Sequence, residues 1–86
     1  MKIRDTYILR SVAGENLVVC VGSSVNFNSV ITLNDTGKFL WEKLTEGATS
    51  EELVTALLSE YDISKEIAER DALAFIEKLK ENDILE

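Results

Sequence analysis

The chain has 86 residues, 45% of them hydrophobic and 29% charged, which suits one small globular domain and is too apolar for a disordered chain. Its net charge of −7, from 16 acids against 9 bases, disfavours nucleic acid and anionic membrane surfaces and favours partners with basic patches. One cysteine excludes an internal disulfide and a thiolate metal cluster, and the lack of histidine removes the commonest general base and transition-metal ligand.

In chain order, the opening Met1-Lys2-Ile3-Arg4-Asp5 does not read as a signal peptide, and no apolar run approaches the roughly 18 residues of a membrane span. A cytoplasmic location is expected. Thr6–Val12 and Asn16–Val21 are rich in β-branched and apolar residues, and Ala13-Gly14-Glu15 between them supplies a turn, so a hairpin is expected. In the second strand Leu17, Val19 and Val21 share one face, and Val18 and Cys20 the other. Gly22-Ser23-Ser24 interrupts the pattern, which resumes as a third strand over Phe27–Leu33. There Phe27, Ser29, Ile31 and Leu33 face one way, and Asn28, Val30 and Thr32 the other. This last strand is expected at the sheet edge.

At Asn34 the apolar period lengthens from two to about 3.6. Asn34 is a good N-cap, Asp35 suits the positive end of a helix, and Leu40, Trp41 and Leu44 form its apolar stripe. Gly47 is expected to stop this helix in a left-handed conformation. Thr49-Ser50-Glu51-Glu52 reads as a capping box, with Leu53, Val54, Leu57, Leu58 and Tyr61 following at helical spacing. Ser64 caps a third helix ending near Asn82, with Ala68, Ala72, Phe75, Ile76 and Leu79 as its core stripe. Ile84 and Leu85 are expected to fold back onto the core. The whole is one α+β domain over residues 1–86, winged-helix-like, with a three-stranded antiparallel sheet (about 6–33) followed by three helices (about 35–82).

No residues gather into a catalytic or metal-binding pattern. Glu51-Glu52 is accounted for by capping, no Asp-rich calcium loop is present, and Gly22-Ser23-Ser24 matches no phosphate cradle. A winged-helix DNA-binding regulator is disfavoured, since the third helix carries five acids against four bases and the Thr49–Tyr61 segment has three acids and no base. Trp41 and Tyr61 read as packing residues, and Cys20 as a small buried hydrophobe. A generic protein–protein interaction subunit remains as the alternative to a more specific binding role.

The more specific role comes from a resemblance. The run Ile31-Thr32-Leu33-Asn34-Asp35-Thr36-Gly37-Lys38-Phe39-Leu40-Trp41 resembles the PqqD family, with Leu-Asn-x-Thr-Gly, a Trp four residues on, and an acidic-glycine stop at Glu46-Gly47. The likeness extends to Thr49-Ser50-Glu51-Glu52-Leu53, Tyr61-Asp62-Ile63 and Asp71, and back to Leu9-Arg10 and Phe27-Asn28. One departure is Asn82, where the family often has the glycine of a left-handed stop, a conformation asparagine tolerates. The family is named for pyrroloquinoline quinone biosynthesis, and its fold recurs as the recognition element for peptide natural-product precursors.

The resemblance implies a cofactor-free, non-catalytic domain that binds the leader segment of a ribosomally made precursor peptide. It implies that the leader adds as a strand along Phe27, Asn28, Ser29, Val30, Ile31, Thr32 and Leu33. Ile67, Asp71, Ala74 and Lys78, which fall within about 60° of one another at 100° per residue, would form the helical wall of the groove. Arg70 lies on its margin. The implied second partner is a modifying enzyme, either a radical-SAM protein or a lasso-type leader protease, with no nucleic acid or membrane involved.

Overall fold

A computed structural model describes residues 1–20 and 31–86. The hairpin forms as expected, with β1 at Tyr7–Val12 antiparallel to β2 at Glu15–Cys20. Its turn is the two-residue Ala13–Gly14, with φ of 51° and 81°. Two successive positive φ values mark a primed hairpin turn, whose twist matches that of the flanking strands. Glu15 is therefore the first residue of β2 and not part of the turn.

The third strand, β3, is described at Ile31–Leu33 and pairs antiparallel with β2, giving the sheet order β1-β2-β3. The rest of the expected strand, Phe27 to Val30, lies outside the described residues. Register sets the faces. Leu9, Val18 and Ile31 stand in one cross-strand row, with Asn16 and Leu33 two rows along and so on the same face. Val18, Ile31 and Leu33 are buried, whereas Leu17 and Val19 on the opposite face are half-buried and Thr32 is exposed. Cys20 shares the core face and is half-buried, so it is not the fully buried hydrophobe expected.

Three helices close that face. Helix α1 spans Asp35–Glu46, α2 Ser50–Glu60 and α3 Lys65–Glu81. Each start is capped as the sequence suggests. The Asn34 carboxamide oxygen accepts from Gly37 N–H at 2.8 Å, and the Ser64 hydroxyl accepts from Ile67 N–H at 3.2 Å. At α2 the box is reciprocal: Glu52 N–H donates to Thr49 Oγ1 at 3.1 Å, and Thr49 N–H donates to Glu52 Oε1 at 3.0 Å.

The helix ends differ from expectation in two places. Gly47 has φ 94° but ψ 129°, so it needs glycine's freedom without being left-handed helical. Asn82 has φ −97° and is not left-handed; the positive φ falls on Asp83, at 56°. Asn82 instead turns its side chain back to donate to the Lys78 carbonyl at 2.8 Å, which also accepts the Asn82 backbone N–H at 3.3 Å.

The core runs through all of these elements. Leu40, Trp41 and Leu44 of α1, Leu53 and Leu57 of α2, and the whole stripe Ala68, Ala72, Phe75, Ile76 and Leu79 of α3 are buried. Tyr61 packs edge-on against Phe39 with ring centroids 5.7 Å apart. The carboxyl end folds back as expected. Ile84 and Leu85 are buried, and Leu85 bridges Ile3, with Arg4 N–H to Ile84 O and Glu86 N–H to Lys2 O both at 2.9 Å. No described helix is long and apolar enough to cross a membrane.

Candidate functional site

Two local facts open a cleft beside β3. The chain leaves the strand at Leu33 and enters α1 at once, with Asn34 as the cap, so the first turn of α1 sits at the end of the sheet edge. The middle of α3 lies opposite. Between them is an open cleft of about 320 Å³, lined on the strand side by Thr32 and Leu33 and on the α3 side by Asp71, Ala74, Phe75 and Lys78. Asn34, Thr36, Gly37 and Leu40 complete it from α1.

Small residues keep this space open. Ala74 presents only a methyl group from the middle of the helical wall. Gly37 is packed tightly: a Cβ there would meet Leu33 Cβ at 3.2 Å and the capping Asn34 Oδ1 at 3.3 Å. Glycine in a first helical turn costs about 1 kcal/mol relative to alanine, so its presence there marks a close approach.

The structure brings some of the sequence-derived residues together and leaves others apart. Thr32, Leu33, Asp71, Ala74 and Lys78 share the cleft. Ile31 is buried with its side chain on the core face. Ile67 is 38% exposed but does not line the cleft, lying one helical turn before Asp71. Arg70 reaches Asp71, with Nε 3.6 Å from Oδ1; side-chain exposures of 74% and 43% make that contact weak. Phe27, Asn28, Ser29 and Val30 lie outside the described residues.

The α1 contribution was missed by sequence reasoning, which gave Asn34 a capping role and Leu40 a core role. Gly37 was the one local signal that could have found it. Among the described residues no group of histidine, cysteine or carboxylate side chains could hold a metal ion.

The cleft thus combines a sheet edge, an apolar floor and one charge of each sign on the opposite wall. On its β2-distant side β3 pairs with no strand among the described residues. The sequence profile described as Coenzyme PQQ synthesis protein D (PqqD) matches residues 7–85. The chain belongs to the PqqD family. Its PqqD fold also matches two solved structures over nearly their full lengths. One is TbiB1 in complex with the TbiA(beta) leader peptide, 28% identical with a TM-score of 0.79, covering 100% of this chain and 95% of that one. The other is a lasso peptide synthetase B1 complexed with the leader peptide, 26% identical with a TM-score of 0.76, covering 96% and 93%. No curated protein matches the sequence.

Proposed function

We propose that this PqqD-family chain is a non-catalytic domain that captures the leader segment of a ribosomally synthesised precursor peptide and presents it to a separate modifying enzyme, a radical-SAM protein or a leader protease. The observation that carries the proposal is the edge of β3, unpaired among the described residues, running directly into the cleft against α3. An extended peptide laid along that edge meets main-chain N–H and C=O groups on one side and Asp71, Ala74 and Lys78 on the other. Main-chain bonds then supply affinity and the helical wall supplies selectivity. The two solved relatives bound to leader peptides support the same reading.

Amide hydrogen exchange tests it. Adding the leader slows exchange at Ile31–Leu33 and leaves the Ala13–Gly14 turn unchanged. Thr32→Val, which alters an exposed side chain and keeps the backbone, leaves affinity within about threefold, or under about 0.7 kcal/mol. Protection confined to α2 would contradict strand addition and return the chain to a generic interaction subunit.

A further inference from the structure

The helical wall carries charge in a particular arrangement. Asp71 and Lys78 are seven residues apart on α3, which at 100° and 1.5 Å per residue places them within about 20° of the same face and about 10.5 Å apart along the axis. Both line the cleft, and Ala74 lies between them with Phe75 and Leu40 as apolar neighbours. One side of the cleft is therefore acidic at one point, open and apolar in the middle, and basic at the other.

An extended peptide matches that spacing. Residues on one face of a strand recur every second position, about 6.7 Å apart, so positions i and i+4 are about 13 Å apart. The flexible lysine side chain absorbs the difference of about 2.5 Å. Asp71 is half-buried, and a peptide lying over it removes more of its water. An apolar or neutral residue there leaves a carboxylate desolvated without a partner, whereas a cation offsets the cost. The Arg70 contact does not preempt this, because at 3.6 Å and with the Arg70 side chain 74% exposed it exchanges readily with another cation.

We propose that the cleft selects a peptide segment with a basic, an apolar and an acidic residue at alternate positions, in one chain direction and not the reverse. This rests on the strand-addition reading of the same site. The apolar side chain enters beside Ala74, the cation faces Asp71 and the anion faces Lys78. The two charges thereby fix both register and direction, which main-chain bonds alone do not.

Four capped ten-residue peptides test the inference. One has lysine, leucine and glutamate at alternate positions; the second reverses the two charges; the third replaces both with serine; the fourth keeps the charges and replaces leucine with serine. Titration followed by amide shifts gives one charge order binding about tenfold more tightly than the reverse, with the neutral peptide between them. The fourth peptide binds more weakly than the first. The preference shrinks as salt shortens the Debye length. The double variant Asp71→Lys, Lys78→Asp folds with an unchanged thermal midpoint and prefers the opposite order.

Equal affinity for the two orders, a preference that the double variant does not invert, or no binding by any of the four peptides overturns the proposal. A neutral peptide that binds and protects β3 while charge order has no effect overturns the charge ladder alone. Peptides that perturb α2 and spare β3 overturn the strand-addition reading with it.

Discussion

Two adjacent residues of α3 give opposed expectations for one substitution. Ala74 lines the cleft beside Phe75 and Lys78, whereas Leu73, about 100° further around the helix, is 56% exposed and lines a separate groove between α2 and α3. Ala74→Trp puts an indole into the space of about 320 Å³ that a leader side chain would occupy. Both positions are exposed, so neither change should alter stability by more than about 0.5 kcal/mol. Binding separates them. Excluding a leucine-sized side chain forfeits about 1.5–3 kcal/mol of burial, roughly a tenfold to hundredfold loss of affinity. Leu73→Trp leaves affinity within about twofold. Fluorescence anisotropy of a labelled leader, with far-ultraviolet spectra confirming the fold, measures both. Full affinity in the Ala74 variant, or an equal loss at Leu73, would place the peptide somewhere other than this cleft.

Ala13 occupies a positive-φ turn position at 51°, where an L-residue with a Cβ is strained. Ala13→Asn should stabilise the domain by about 0.5–1 kcal/mol, a rise of roughly 2–8 °C in Tm by calorimetry, with peptide affinity unchanged; an unchanged Tm refutes the strain. Asn34→Ala and Thr49→Ala each remove a capping acceptor and should cost about 1 kcal/mol in urea titrations with the m-value preserved. Only the first should also weaken peptide binding, because only the first turn of α1 lines the cleft.

Much of this molecule is legible because its signals are local. The change of apolar period at Asn34, the box at Thr49 and Glu52, and the five-residue stripe of α3 all concern residues within a few positions of one another, and each appears in the fold. What was hidden depends on distant pairings. Leu17, Val18, Val19 and Cys20 are all apolar, so alternation separates two faces without saying which is the core; the pairing of Val18 with Leu9 and Ile31 decides it. Ile3 becomes a core residue through distant partners, the Leu44 carbonyl that accepts its N–H and Leu85, which returns to bridge it. Asn34, Gly37 and Leu40 each have a sufficient local explanation, and nothing nearby in sequence announces that α3 stands across from them. The end of α3 near Asn82 is as expected, but the left-handed residue is Asp83, since the asparagine side chain bonds the Lys78 carbonyl without its backbone turning left-handed.

The same geometry explains why the cleft-lining residues are hard to separate from the core. Helix α3 faces three ways at once. Its buried stripe is central, the cleft with Asp71 and Lys78 lies on one flank, and the groove with Leu73 lies on the other. Phe75 belongs to both core and cleft, being 8% exposed and part of the cleft lining. Truncating it opens a cavity costing about 3–5 kcal/mol, a large share of a small domain's stability, so that binding and folding effects could not be told apart. Under the proposed function, selectivity is therefore encoded one step off the stripe, where side chains change without disturbing the core. Asp71, Ala74 and Lys78 occupy that margin, bordering the sheet edge on one side and the buried stripe on the other. One fold, under the proposed function, serves different peptides through changes at three residues of a single helix.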